Sequence, residues 1–299
     1  MVNGKATQFS EHWMREFGKF TERYPDLKDD WRTSLEAVIK VQTEKGIPFI
    51  AVYNPWREKR IGKQISIPSY YESILAFKKG GENTVIFGED YSPFFILINI
   101  FPIVHDHVAI VHEEPSYGPK KEMSEGDLEI MVRMQEGTGI SIWHNMKGAG
   151  VTIEDWDHFQ GALWKPAMRS ATKACYDSVS HVYFMPDYPG QHVVLNGDRK
   201  VGKAIDTVKF LNDNGKSYNV SVDDGFVYVI PIKDDRAGVS LGLSEKSRIG
   251  GFETFGSYVE LTWDDFSKFL RGEVKVGEVL RRALYSWDDP ELNLKNRFN

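Results

Sequence analysis

The chain has 299 residues, 41% hydrophobic and 27% charged, the balance of an ordinary soluble globular protein long enough for one large domain or two small ones. Its net charge of −6 argues against general nucleic-acid binding, which wants a basic face, so an anion site must gather its Lys and Arg locally. Cys175 is the only cysteine, which excludes an intrachain disulfide and a cysteine-based zinc site and fits a reducing cytoplasm.

The N-terminus lacks the apolar core of a signal peptide, and the longest apolar run, Phe94 to Phe101, is broken by Asn99 and too short to span a bilayer. Residues 8–24 predict an amphipathic helix, with Trp13, Phe17, Phe20 and Tyr24 at helical spacing before Pro25. A second helix is expected from about Asp29 to Lys45, with Trp31, Leu35, Val38 and Ile39 inward and Gly46 beyond its end. Together these make residues 1–46 a helical packing cap. Phe49 to Tyr53 reads as a strand leading into a basic turn, Asn54-Pro-Trp-Arg-Glu-Lys-Arg60, that continues to Lys63. The turn is either solvated surface or a phosphate contact, in which Arg57 offers a bidentate fork and Lys63 a point charge.

Strands are expected at 84–87, 94–100 and 107–112, with Pro102 breaking the ladder and Asp106-His107 turning the chain. His105 and His112 read as surface residues; with His107 they also suggest a metal site, although such spacing is common by chance. Met123 to Gly137 reads as a helix opened by a Ser124/Asp127 capping box, and Ile140 to His144 as the next strand. Beyond it, Lys165 and Arg169 are two cations placed either to meet departing phosphates or to sit in an exposed loop.

From residue 180 the elements shorten. Strands are expected at His181–Phe184 and Gln191–Leu195, followed by Asn196-Gly197 as a hairpin signal, then a helix from Lys200 to Asn214. Tyr218–Val222 and Phe226–Ile232 predict a hairpin across Asp223-Asp-Gly225. A strand at 257–261 and helices at Trp263–Leu270 and Val279–Tyr285 complete the series, and the polar tail 288–299 is expected to fray.

The chemistry concentrates between Trp143 and Gln160. Gly148 and Gly150 permit a tight turn that brings backbone N–H groups to an anion, and Thr152 adds a hydroxyl. Residues 153–160 alternate like a strand, so His158 and Gln160 project from one face. Taken alone, such a segment is a glycine turn with a packed histidine. Taken as a site, it is a phosphate cradle followed by a nucleophile, since neutral imidazole attacks phosphorus and its phosphoramidate can be cleaved again.

The run Asn145-x-x-Gly148-x-Gly150-x-Thr152 with His158-x-Gln160 resembles the His-x-His-x-Gln signature of the nucleotidyl-transferring branch of the histidine triad (HIT) superfamily. That branch holds galactose-1-phosphate uridylyltransferases, diadenosine tetraphosphate phosphorylases and GDP-hexose phosphorylases. Asn99-Ile-Phe-Pro102 with His107-Val-Ala-Ile-Val111 resembles the family's preceding strand and turn. Tyr218-Asn219, Val229 to Lys233 and Gly250 to Gly256 resemble the second half of the diadenosine tetraphosphate phosphorylases. The chain departs from the signature at Trp156, where the family has its first His.

The resemblance implies an α+β fold: a HIT-like antiparallel sheet with helices, duplicated as two HIT-like halves (47–175 and 176–287), the second degenerate. It implies that His158 is the nucleophile and that Gln160 binds a phosphoryl oxygen, where the hydrolases of the superfamily carry another His. Gly148, Gly150 and Thr152 would hold the α-phosphate, Asn145 the loop or the ribose phosphate, and His107 would orient the backbone of the site, with Asn99 counted among its substrate- and phosphate-binding residues. The Asn54 turn lies beside the nucleotide in the phosphorylases, which brings Arg57 and Lys63 with it. The implied reaction is phosphorolysis of a dinucleoside polyphosphate or NDP-sugar; a hexose-1-phosphate nucleotidyltransferase and a non-catalytic nucleotide-binding protein are the alternatives. Its partners would be a nucleotide or NDP-sugar and orthophosphate, on a cytoplasmic monomer or homodimer. The chemistry requires no cofactor, and a divalent cation can arrive bound to the nucleotide.

Overall fold

Short apolar segments closed by Pro, Gly or Asp turns build the centre of the molecule. The computed structural model describes residues 2–23, 38–55, 58, 70–81, 85–87, 89–99, 102–114, 122–146, 148–149, 158–178, 181–245, 247–260 and 262–298. The chain enters as helix α1 (Val2–Arg23), which buries Phe9, Trp13 and Phe17 along one face, as the helical spacing predicts.

The second expected helix is corrected. Residues 38–44 form strand β1 (Val38–Glu44), which pairs antiparallel with β2 (Ile47–Tyr53); residues 29–37 lie outside the described residues. Lys45 and Gly46 have φ of 50° and 80°, the two left-handed positions of a tight hairpin turn that glycine favours. Val38 and Ile39, read as inward on a helix, are 39% and 46% exposed. The β-branched alternation Val38-Ile-Lys-Val-Gln-Thr fits a pleated edge strand better than a helix.

Helix α2 (Tyr70–Lys78) leads to β3 (Val85–Phe87), β4 (Phe94–Ile98) and β5 (Val108–His112). Helix α3 (Glu125–Thr138) carries the expected capping box: Asp127 N–H donates to Ser124 Oγ at 3.2 Å and Ser124 N–H to Asp127 Oδ2 at 3.0 Å. Strands β6 (Ser141–Asn145) and β7 (His158–Ala162) follow. The second half repeats the plan with β8 (Ala174–Asp177), β9 (Val182–Phe184), β10 (Val193–Leu195), α4 (Lys200–Asp213), β11 (Ser217–Asp223) and β12 (Phe226–Ile232). Asn196-Gly197 does not close a hairpin; it turns β10 into α4, and the partner of β10 in chain order is β9.

These strands form one ten-stranded sheet in the order β3-β4-β5-β7-β6-β11-β12-β10-β9-β8. Every pairing in it is antiparallel. Read outward from the central β6–β11 pair, both arms have the same connectivity, each with its helix between the third and fourth strands of its half in chain order. The duplication expected from sequence is therefore a pseudo-two-fold sheet. Helices α3 and α4 lie against the central strands of this sheet. Short helix α5 (Gly251–Thr254) lies against β6 and β11, and β13 (Ser257–Glu260) runs parallel to β2 in a separate three-stranded sheet.

Helices α6 (Trp263–Arg271) and α7 (Val276–Ala283) pack beside that smaller sheet, and Leu284, expected inside the last helix, bridges instead to Ile232. The tail does not fray: Leu292 and Leu294 are buried, and the enclosed amide of Gln191 donates to the carbonyls of Ser286 (2.7 Å) and Leu292 and accepts Leu294 N–H (2.8 Å). No helix among the described residues is long and apolar enough to cross a membrane.

Candidate active site

Alternation along β7 puts His158 and Gln160 on one face of the large sheet, and Phe159 on the other, where it stacks on Phe94 at 5.4 Å. His158 lies opposite Val111 of β5, and Gln160 opposite Ala109 of β5 and Trp143 of β6. His158 is only 8% exposed. Its Nε2 is 3.4 Å from the Gln160 amide nitrogen, and Gln160 Oε1 is 3.0 Å from His107 Nε2. The other nitrogen of His107, Nδ1, accepts Ile103 N–H at 3.0 Å. Three histidine and glutamine side chains thus form a continuous line from the 103–107 turn to the proposed nucleophile.

That turn is held from several directions. Asn54 donates its amide N–H to the carbonyls of Pro102 (3.0 Å) and Ile103 (3.3 Å). Asn99 N–H donates to the His107 carbonyl at 3.2 Å, and its side-chain nitrogen lies 3.3 Å from His107 Nε2. Trp13, fully buried on α1, donates its indole N–H to the same carbonyl at 3.2 Å. The His107 ring stacks on Trp143, centroids 5.6 Å apart, and Trp143 in turn meets Phe252 of α5. Asn54, Asn99 and His107 therefore all contact the backbone of this turn, and the Asn54 amide is buried against it.

Asn145 ends β6, and its Oδ1 accepts Gly251 N–H at 2.5 Å, so the loop anchor expected there reaches across to the start of α5. The two glycines at that start are required by space. A Cβ on Gly251 would lie 2.7 Å from Trp143 Cδ1, and one on Gly250 2.9 Å from Asn145 Nδ2. Gly148 has φ of 76°, and a Cβ there would meet Ser217 Oγ at 2.6 Å, so this turn also depends on glycine. Gly150, Thr152, Trp156, Arg57 and Lys63 lie outside the described residues.

Lys165 is exposed. Arg169 is committed elsewhere, which corrects the reading that it meets departing phosphates. It makes a two-pronged contact with Asp223, Nε to Oδ2 at 2.8 Å, and Ser141 Oγ donates to the same carboxylate at 2.6 Å. Burial works to lower the Arg169 pKa, but its hydrogen bonds to Asp223 and that carboxylate's charge outweigh it and hold the group above its ordinary value. The pair pins β6 and the loop after β7 to β11.

The metal reading of His105, His107 and His112 does not survive the geometry. His105 pairs with Asp106 at 2.7 Å, His107 faces Gln160, and His112 meets the Phe94 ring edge-on. Among the described residues no group of three or more His, Cys, Asp or Glu is gathered to hold a metal. Sequence reasoning missed the service of Trp143, Gly250 and Gly251; the adjacent glycines were a usable signal, but their partners lie more than a hundred residues away in the chain.

No protein-family model matches the sequence, and no curated protein is significantly similar to it. Solved structures are similar in shape. Yeast Ap4A phosphorylase Apa2 superposes with a TM-score of 0.64 at 13% identity, covering 93% of this chain and 94% of that one. The same enzyme in complex with Ap4A gives 0.64 over 98% of its chain, and in complex with AMP 0.62 over 96%. The likeness spans 93% of this chain, which therefore shares its fold with that phosphorylase.

Proposed function

We propose that the protein is a phosphorylase-type nucleotidyltransferase that works through a covalent nucleotidyl-histidine. The observation that carries this reading is the side-by-side placement of His158 and Gln160 at 3.4 Å on one strand face, within a fold shared with an Ap4A phosphorylase. In the first step Nε2 of His158 attacks the α-phosphorus, and the bond to the bridging oxygen breaks with its electron pair leaving on the departing phosphate group. In the second, an oxygen of orthophosphate attacks the same phosphorus, the P–N bond breaks, and nucleoside diphosphate leaves a neutral His158. The substrate is a dinucleoside polyphosphate or an NDP-sugar. Gln160 and the N–H groups of the Gly148 turn hold the α-phosphoryl oxygens; one such donor contributes on the order of 3–4 kcal/mol to lowering a barrier of this kind. Lys165, with Arg57 and Lys63, supplies the positive charge for the distal phosphates.

Gln160 also sets the acceptor. A carboxamide neither protonates a leaving group nor activates water, so the intermediate waits for an acceptor that already carries an oxyanion. Orthophosphate does at pH 7, in the cytoplasm. Incubation with Ap4A or an NDP-sugar without phosphate is expected to increase the protein mass by one nucleoside monophosphate on His158. Adding phosphate then releases nucleoside diphosphate. Rapid phosphate-independent release of nucleoside monophosphate would place the protein among hydrolases, and absence of any adduct or turnover would leave a binding protein.

A further inference from the structure

His107 does not reach a substrate phosphorus through this line, yet the direction of every hydrogen bond in the line depends on it. Ile103 N–H is a donor, so the Nδ1 that it meets at 3.0 Å must be unprotonated. A neutral imidazole then carries its proton on Nε2. That nitrogen donates to Gln160 Oε1 at 3.0 Å, the longer 3.3 Å approach of the Asn99 amide nitrogen then being a contact and no hydrogen bond, and this fixes the carboxamide with its oxygen toward His107 and its NH2 toward His158. The NH2 group, 3.4 Å from His158 Nε2, meets a lone pair and leaves the proton of His158 on Nδ1. The opposite assignment fails at its origin. A His107 with unprotonated Nε2 would have no proton on either nitrogen.

We infer that His107 is a positioning residue that sets the polarity of the Gln160 carboxamide and, through it, keeps the proton off Nε2 of His158. The inference rests on His158 as the attacking group. When a phosphoryl group arrives at His158, the same NH2 lies beside its oxygens and donates to them. A reversed carboxamide would turn its carbonyl oxygen on an anion and place an acceptor where Nε2 would have to carry a proton. The alignment is secured from behind: α1 grips the turn through the Trp13 bond to the His107 carbonyl and the Ser10 hydroxyl's bonds to Asp106 at 3.1 and 3.2 Å. The N-terminal helix is therefore part of the catalytic apparatus at one remove.

The test reads protons directly, on the ligand-free full chain with 15N-labelled histidine at about pH 8, above the ordinary histidine range. Two-bond 1H–15N spectra are expected to show His158 protonated on Nδ1 and His107 on Nε2. His107→Phe keeps a ring against Trp143 but removes the donor; His158 should then populate both tautomers, with kcat down about 10²-fold, the usual cost of misplacing a reacting group, and KM little changed. His107→Gln, whose amide nitrogen can occupy the Nε2 position, should restore the single tautomer and much of kcat. Where His107→Phe does not fold, Gln160→Glu serves, because a carboxylate offers no N–H and should draw the His158 proton to Nε2. A wild-type His158 protonated on Nε2, or a His158 tautomer unmoved by both His107→Phe and Gln160→Glu, overturns the inference. The expected tautomers in a protein that never forms a nucleotidyl adduct would refute the proposed reaction and leave the positioning intact.

Discussion

Each half of the molecule opens its third strand with a histidine. His107 stands just before β5 and His192 just before β10, and each ring accepts a backbone N–H from the turn leaving the preceding strand, Ile103 at 3.0 Å and Met185 at 2.8 Å. There the resemblance stops. The second nitrogen of His107 turns outward to Gln160, whereas that of His192 returns to the carbonyl of its own turn, Gly190, at 3.0 Å. His192 is wholly enclosed, and burial pushes its pKa down to about 3 despite the bond to Gly190. Strand β12, Phe-Val-Tyr-Val-Ile-Pro-Ile, offers neither a His nor a Gln where β7 has both. Closing the turn is the shared structural duty of this histidine; the chemistry of one half depends on where the remaining nitrogen points.

The largest expected contrast separates His158 from His192. His158→Ala should cut turnover by on the order of 10⁴-fold or more, as removal of a nucleophile does, with a nearly unchanged thermal melt. His192→Ala should do the reverse, losing about 2–4 kcal/mol of stability through the cavity it leaves, with unchanged kcat at temperatures where it stays folded. Steady-state rates beside thermal melts check both, and a His192→Ala variant that is folded but inactive would break the comparison.

Titration gives the next effect. His192 is neutral in the folded protein down to about pH 3, while the unfolded chain binds a proton at about 6.5. Stability is therefore full above pH 6.5 and falls as pH drops toward 3, by about 1.4 kcal/mol per pKa unit and on the order of 4–5 kcal/mol in all. Urea unfolding between pH 7 and 4 should show the slope, and His192→Gln should flatten it; an equal slope in that variant would assign acid lability elsewhere.

Arg169→Met should cost about 3–4 kcal/mol, because it leaves the enclosed Asp223 carboxylate without its cation, and Asp223→Asn in the same chain should recover part of that loss. A melt unchanged by Arg169→Met would mean the seam between the halves does not depend on this pair. Gly148→Ala presses a methyl on Ser217 at a left-handed backbone position and should cost about 1–3 kcal/mol while slowing nucleotidyl transfer; Ser217→Gly removes the clash but not the φ penalty, so rescue should be partial. Smallest is Trp13→Phe, worth about 1 kcal/mol for one hydrogen bond, with a modest fall in kcat. Full activity in that variant would show that the turn stands without α1.

What the sequence discloses here is local. The alternation from His158 to Gln160, the Ser124/Asp127 box and the Asp224-Gly225 turn are all carried by residues a few positions apart, and each appears in the structure as read. The segment 38–44 misleads because its apolar residues satisfy both a helical and a strand period, and the deciding Lys45-Gly46 turn also reads as the end of a helix. Pairings across the fold have no signature of that kind. Nothing near Arg169 points to Asp223, and nothing near Asn145 points to Gly251. Even at His107, which the resemblance singles out, only the structure gives the partners of its two nitrogens, Ile103 N–H and Gln160.

The Gln191 contacts carry a consequence for how the protein is made. Its amide lies in the middle of the second half, yet the groups that satisfy it belong to residues 286–294, synthesised about a hundred residues later. At translation rates of roughly 5–20 residues per second, several seconds pass in which the strands around Gln191 are available and its partners do not exist. The arm β3-β4-β5-β7-β6, whose strands have all emerged by then, is free to form during that interval, although the partners of Asn145 and β2 arrive only after residue 250. The second half carries an unmet polar group at its centre until residues 286–294 arrive, so its closing step is tied to completion of the last helix and the tail.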